Sequence, residues 1–360
     1  KEGCAEGDCG ACTLVLGSLT KDGTIKYKSF DSCLVFLPML HGKELITVEC
    51  VGSSDKLHHV QKEMVDCDGS QCGYCTPGFI MSMYYLYQKG KPATREDIDD
   101  ALTGNLCRCT GYRSIVDAAI RSCGQPIRNG SEAAKIKVAA LLNEIQDEGI
   151  EIKTPKQYYI QPKKLDALLD VLADDPEYLI VSGATDIALK VTKAKEHLPK
   201  ILDVSMVHEL KTISVDHHGV WYGSGVNLED IRVHCQSYLP ALHDMLNVFG
   251  SRQIRYMGTI GGNIASASPI GDVPPVLMAY DAIIKLASKA GIREVKARDF
   301  VTGYRETVLK PAEIIHSVFI PFPHKKNKIR SYKISKRKDL DISTVSGGFQ
   351  VLIDKDKIED

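Results

Sequence analysis

Residues 3–16 read GCAEGDCGACTLVL, so that Cys4, Cys9 and Cys12 stand at C-x4-C-x2-C, with Cys33 as a distant fourth. At this spacing four thiolates hold a [2Fe–2S] cluster. Gly3, Gly7 and Gly10 crowd the sulfurs. Glycine tolerates positive φ and lets backbone N–H groups wrap close to an anionic cluster. Thr13–Leu16, β-branched and apolar, read as a strand leaving the loop. A polar turn at Lys21–Gly23 and a second strand, Thr24–Phe30, then lead to Cys33. Zinc ligands usually come as two close pairs, a habit that a triplet with one distant cysteine does not follow.

A second set follows: Cys72 and Cys75 in QCGYCTPGFIMSMY, then Cys107 and Cys109 in LTGNLCRCTGY. Pro77 can open a helix at its first turn. Beyond it Phe79, Ile80, Met83, Tyr84 and Tyr87 recur at helical spacing. Thr94 with Asp97 forms a capping box ahead of a helix over 95–102. Further helices are expected over 57–65 and 114–122, placing this set at the ends of helices in a small bundle. On the motif alone a zinc ribbon stays open, although C-x-C is tighter than zinc hairpins favour. The stripe of Met81, Met83 and the tyrosines at 84, 85 and 87 reads as helical core. Two clusters in one stretch would make this chain an electron conduit.

At 360 residues the chain predicts two or three domains. A net charge of −1 gives no footprint for nucleic acid. No apolar run approaches the roughly 18 residues that span a bilayer. Glycine-crowded, metal-like cysteine spacings favour a reducing, cytoplasmic setting over disulfides. Cys50, Cys67, Cys123 and Cys235 fall outside both sets and read as buried small hydrophobes. The chain opens at Lys1 directly on a cluster loop and stops at Asp360 within a strand-and-turn segment, so more sequence is expected on both sides. His58–His59 and His217–His218 are adjacent pairs whose side chains should point apart, in surface roles. The basic run at 333–338 (KISKRK) reads as a solvated face.

Gly124–Ser131 (GQPIRNGS) should end the bundle, followed by a mixed-charge helix over 132–146 and a strand entering at Ile150. From Thr154 the texture changes to short strands and helices. Tyr178–Ser182 is an apolar strand running into the turn Gly183-Ala184-Thr185-Asp186. Residues 246–272, LNVFGSRQIRYMGTIGGNIASASPIGD, set Gly258, Gly261 and Gly262 around Thr259 and Asn263. Both turns can present backbone N–H groups and short hydroxyls to phosphate. No G-x-G-x-x-G is present, which disfavours a Rossmann fold. Glycines alone leave an ordinary α+β domain equally open.

The order of EGCAEGDCGACT, GSQCGYCTPGFIMS, GNLCRCTGYR, VSGATD, TIGGNIASASPIGD and GYRETVLKPAEII closely resembles the iron–sulfur and flavin part of the molybdenum hydroxylases. The xanthine-oxidizing branch fits better than the carbon monoxide-oxidizing one. The resemblance implies a multidomain α+β protein. Residues 1–50 would be part of a β-grasp [2Fe–2S] domain and 51–128 an all-α [2Fe–2S] domain, with 129–153 a linker. Residues 154–323 would be an FAD domain of the vanillyl-alcohol-oxidase (PCMH) type, and 324–360 the start of a C-terminal flavin-associated subdomain. Metal ligands would be Cys4, Cys9, Cys12 and Cys33, then Cys72, Cys75, Cys107 and Cys109.

For FAD, the resemblance points to a pyrophosphate loop of Ile180, Val181, Ser182, Gly183, Ala184, Thr185, Asp186 and Ile187. A second phosphate loop would be Thr259, Ile260, Gly261, Gly262 and Asn263, with Asp272 completing the site. Phe249 would lie by the isoalloxazine, Ile315 near it and Lys333 within its reach; Tyr304 would face nicotinamide. Gln71 and Cys109 would lie toward a pterin. Ala184 departs from the Gly or Asn usual in such a loop. No catalytic residue is expected in this chain. Molybdopterin would reside in a partner subunit or further domain of a hetero-oligomer, NAD would be the acceptor, and purine the substrate. Other readings are an aldehyde- or nicotinate-oxidizing relative, a stand-alone electron carrier, or a zinc-bearing interaction module.

Overall fold

The computed structural model describes residues 1–124, 132–145, 149–354 and 357–358. Two compact units emerge. The first comprises Lys1–Glu148 with two later segments, Ile187–Glu196 and Ser251–Tyr256; the second holds Gly149–Asp186, His197–Gly250 and Met257–Asp360.

In the first unit, strand Thr13–Leu19 is the centre of an antiparallel sheet between Ile25–Asp31 and Lys43–Ile46. Its register sets Thr13 opposite Asp31. Against this sheet lies helix Thr76–Gln88, which opens with Pro77 and buries Phe79, Met81 and Met83 completely. Helices His59–Asp66, Arg95–Leu102 and Arg113–Cys123 pack around it through Val60, Met64, Ile98, Ile115 and Ala118. The capping box is reciprocal: Asp97 N–H donates to Thr94 Oγ1 at 3.1 Å, and Thr94 N–H to Asp97 Oδ2 at 3.0 Å. The stop expected at Gly124–Ser131 lies, apart from Gly124, outside the described residues. Within the span 129–153, two elements are described. Helix Glu132–Ile145 packs on the first unit's sheet, and strand Ile150–Lys153 pairs with Tyr158–Gln161 in the second unit.

The second unit is built on two larger sheets. Ile150–Lys153, Tyr158–Gln161, Lys200–Asp203 and Leu179–Val181 form a mixed sheet in that order, its last two pairings parallel. Gly291–Lys296, Ile283–Ser288, Ile314–Pro321, Gly219–Gly223 and Ile213–Val215 form an antiparallel sheet. Helices Leu228–Cys235, Pro240–Asn247 and Val273–Ala279 share with it a core that includes Tyr222, Leu246, Leu277, Ile284 and Val318. Strands Asn327–Ile334 and Val345–Asp354 pair antiparallel, and Gly348 lies so close to helix Val273–Ala279 that a Cβ there would sit 2.4 Å from the Pro275 carbonyl. Among the described residues no helix is long and apolar enough to cross a membrane.

Candidate functional site: two cysteine loops and two small-residue loops

The first loop turns on backbone that few side chains tolerate: Ala5, Gly7 and Gly10 all have positive φ. Asp8 N–H and Cys9 N–H both reach Cys4 Sγ at 3.4 Å, and Cys12 Sγ lies 3.4 Å from Cys33 Sγ. The sulfurs therefore gather as two pairs, Cys4 with Cys9 and Cys12 with Cys33. The Cys33 thiol beside it holds Cys12 down at about 6 against the upward pull of burial, while Cys12 and burial push Cys33 up. At Cys4 burial pulls upward, but N–H groups of Cys9, Glu6 and Asp8 together bring the thiol down.

The second set repeats the pattern. Cys72 pairs with Cys109 at an exposed edge, and Cys75 with Cys107 further in. Burial and then Cys107 push Cys75 up to about 12. Cys107 lies below its ordinary value because the Thr110 hydroxyl and N–H outweigh burial. All twelve cysteines are free. Among the described residues no three Cys, His, Asp or Glu side chains converge as one metal ion would require. Pairing two by two suits a diiron cluster, which divides four thiolates between two irons.

Three glycines bring the two loops together. A Cβ on Gly10 would lie 2.1 Å from the Gly104 carbonyl, and one on Gly78 2.1 Å from the Gly10 carbonyl. Leu106 N–H, next to Cys107, donates to the Cys9 carbonyl at 3.0 Å.

In the second unit, Gly183 passes so near Met257 that a Cβ would sit 1.7 Å from its carbonyl oxygen. The 180–186 loop thus lies directly against the approach to Thr259. Ala184 takes φ +63°, the left-handed conformation that glycine and asparagine adopt most easily. Thr259 Oγ1 accepts from Gly262 N–H at 3.1 Å, and Gly261 leaves no room for a side chain beside Ser224. Ser182 Oγ and Asn263 Oδ1, one in each loop, are buried polar atoms without a hydrogen-bond partner. Such atoms are expensive to leave unpaired, and they fit loops shaped to receive a polar ligand.

Asp272 and Lys333 form a buried ion pair at 2.9 Å. Ser343 Oγ donates to Asp272 Oδ1 at 2.8 Å, and Lys333 Nζ to the Val248 carbonyl at 3.2 Å, next to Phe249. Ile315 is buried in its strand, and Phe249 packs half-buried on the core. Tyr304 stands 77% exposed, and its neighbour Arg305 reaches Asp186 at 3.4 Å. Ile187 falls in the first unit. Gln71 is exposed beside Cys72.

Several expectations need correction. Lys333, which the resemblance singles out from the basic run, is buried and paired with Asp272. Cys50 is exposed and Cys67 half-buried, since each sits at the end of a short helix; only Cys123 and Cys235 are buried. His217 and His218 do not point apart. At a bend between strands their rings lie 3.8 Å apart, tilted by 42°. His58 is a half-buried helix cap, its Nδ1 accepting from Val60 N–H at 3.2 Å.

Residues that sequence reading missed include Asp31, fully buried 3.9 Å from Cys12 Sγ. Burial and then the charge at Cys12 push its carboxyl well up. Also missed were Asn105 and the stretch Arg252–Arg255, in which Arg252, Gln253 and Arg255 are buried.

Residues 47–120 match the family described as [2Fe-2S] binding domain. Residues 151–323 match that of the FAD binding domain in molybdopterin dehydrogenase. The chain is 32% identical to a xanthine dehydrogenase of Calliphora vicina over 98% of its own length and 30% of the relative's. It is 33% identical to a xanthine dehydrogenase/oxidase of Mus musculus, again over 98% of this chain and 30% of the relative. The chain thus spans about a third of the length of the curated relatives it matches. Among solved structures, quinoline 2-oxidoreductase from Pseudomonas putida 86 superposes with a TM-score of 0.51 at 26% identity, covering 57% of this chain and 72% of that one. Carbon monoxide dehydrogenase from Hydrogenophaga pseudoflava shares the fold, with a TM-score of 0.54 at 21% identity over 58% of this chain and 74% of that one.

Together with the paired thiols and the small-residue loops, these matches define an iron–sulfur flavoprotein with a [2Fe–2S]-binding domain and an FAD-binding domain. The chain belongs to the molybdenum hydroxylase family, as an iron–sulfur and FAD portion of the xanthine dehydrogenase type.

Proposed function

We propose that this chain is the electron-transfer portion of a xanthine dehydrogenase-type enzyme whose molybdopterin site, on a partner subunit or further domain, hydroxylates hypoxanthine or xanthine. The observation that carries the reading is the pairing of eight cysteine sulfurs, two pairs from each cysteine set, within one compact unit. Cys4, Cys9, Cys12 and Cys33 hold one [2Fe–2S] cluster in a β-grasp domain. Cys72, Cys75, Cys107 and Cys109 hold the other in the helical domain, with Gln71 and Cys109 toward the pterin. Bound there, the clusters would supply one-electron carriage and the flavin two-electron chemistry toward NAD.

This chain's own residues do the placing. The loops Ile180–Ile187 and Thr259–Asn263 receive the FAD pyrophosphate in a domain of the vanillyl-alcohol-oxidase type, and Ser182 Oγ and Asn263 Oδ1 offer it unpaired polar atoms. Asp272 fixes the Lys333 ammonium next to Phe249 and, with Ile315, completes the flavin's surroundings. Tyr304 offers an exposed ring for nicotinamide. The assembled enzyme is a cytoplasmic hetero-oligomer.

Low-temperature EPR and visible spectra before and after dithionite test the reading, with two distinct reduced [2Fe–2S] signals and a bleachable flavin band expected. Cys9→Ser should abolish one cluster signal and leave the other. A colourless, zinc-bearing, EPR-silent protein would overturn the reading. The 26% identity to quinoline 2-oxidoreductase favours, as a second reading, the same role with another aromatic heterocycle as substrate; turnover of purine against quinoline by the assembled enzyme separates the two.

A further inference from the structure

Between the two cysteine loops lies a knot of four polar side chains, each at least nine-tenths buried: Thr13, Ser82, Asn105 and Gln253. Asn105 is its centre. Its Nδ2 donates to the Gly10 carbonyl at 3.0 Å and to Thr13 Oγ1 at 3.1 Å, and its Oδ1 accepts from Ser82 Oγ at 2.6 Å. Thr13 Oγ1 in turn donates to the Gly10 carbonyl at 2.7 Å. Gly10 lies between Cys9 and Cys12, Asn105 two residues before Cys107, and Ser82 on the helix that follows Cys75. The knot therefore joins both loops.

Gln253 closes it from a distant part of the sequence. Its Nε2 lies 3.3 Å from Asn105 Oδ1, 3.3 Å from Ser82 Oγ and 3.4 Å from Thr13 Oγ1. Each of these bonds is long and individually weak, and Gln253 Oε1 is buried with no partner at all. An orphaned buried acceptor costs about 1–3 kcal/mol. For stability alone, an apolar side chain of similar volume would serve better at this fully buried position. The amide reaches both loops at once, which a leucine could not do by hydrogen bonding.

We propose that Gln253 is a positioning residue that holds Asn105, and through it the Gly10 carbonyl, so that the Cys9–Cys12 loop keeps a fixed distance from Cys107. Gly104 supports this arrangement, since a Cβ there would lie 2.3 Å from Gln253 Oε1. The inference rests on the cluster reading above. Magnetic coupling between paramagnets and electron transfer between them both fall steeply with distance, so a small relaxation of this knot should register in both.

The experiment compares the full chain with Gln253→Leu and Ser82→Ala, each checked for iron content. It reads the interaction splitting between the two reduced clusters by EPR, their midpoint potentials, and the unfolding midpoint. If Gln253 positions the loops, Gln253→Leu alters the splitting and shifts a cluster potential while iron content and unfolding midpoint are kept or the midpoint rises. Ser82→Ala then gives a smaller change of the same kind. A lower unfolding midpoint with unchanged splitting and potentials would assign Gln253 a merely structural role and overturn the proposal. Should Gln253→Leu fail to fold, Ser82→Ala decides: unchanged splitting and potentials there also overturn it. Failure of the cluster reading itself is distinct, because the unsubstituted chain would then show no pair of [2Fe–2S] signals.

Discussion

The cysteine loops and the small-residue loops of this chain are built in opposite ways. The cysteine loops gather their sulfurs in pairs and are braced by a buried polar knot and buried charges. The 180–186 and 259–263 loops carry few committed side chains. They rely on close backbone approach, with Gly183 and Gly261 leaving no room for a Cβ, and on polar atoms left unpaired. In the proposed function, thiolate ligation tolerates polar scaffolding around it, whereas a loop that receives phosphate needs bare backbone.

The sharpest way to break this contrast is to remove the charge behind the cysteine loops. Asp100 binds Arg252 Nε at 2.7 Å and Arg255 Nη2 at 2.5 Å, and both arginine side chains are almost fully buried. Asp100→Asn leaves two buried cations without their carboxylate and should cost about 3–5 kcal/mol in denaturant unfolding. A loss below about 1 kcal/mol would mean that the brace matters little.

Gly183→Ala probes the other region. The added methyl must displace the Met257 backbone, so a loss of about 1–3 kcal/mol is expected, with weaker flavin retention but intact cluster signals. Loss of the cluster signals instead would erase the distinction between the regions.

A smaller effect separates the regions by pH. Burial, and then the neighbouring His59, hold the His58 imidazole below its ordinary value. The unfolded chain therefore binds more protons as pH falls past about 6.5. Stability from the neutral cap is present above that value and is lost on acidification through the lowered one. His58→Asn puts a capping oxygen in place of the ring nitrogen and should flatten this slope between neutral and acid pH, read as a reduced shift of the thermal midpoint.

Smallest is Ala184→Gly. Relieving a left-handed alanine should stabilise the second unit by about 0.5 kcal/mol and leave flavin binding unchanged. A lower midpoint would mean that the alanine methyl, buried in the loop, contributes more through packing than its backbone strain costs.

The same contrast explains what could be read from the residues. Cysteine spacing is local, so both ligand sets stood out without tertiary information. The capping box at Thr94–Asp97 and the proline start of helix Thr76–Gln88 were equally local and appear where expected. The small-residue loops carry no comparable signature, and it took family resemblance to single them out. The resemblance pointed to both Lys333 and Asp272, but their ion pair was not legible because the two stand 61 residues apart. Gln253 was hidden further still, lying 240 residues from Thr13. His58 was misjudged because helix capping depends on where the first turn begins, and that turn starts two residues later than expected, at His59.

The six residues Ser251–Tyr256 have a consequence for biogenesis. They belong to the first unit although they are encoded a hundred residues after its main body ends. During synthesis, residues 1–148 emerge before Arg252 and Arg255 can reach Asp100 and with the Asn105 knot short of its last member. Long-range closure of this kind slows folding and prolongs the exposure of incomplete intermediates. A ribosome must pass Tyr256 before the cysteine-bearing unit has all its parts, so its final consolidation waits on translation of this late segment.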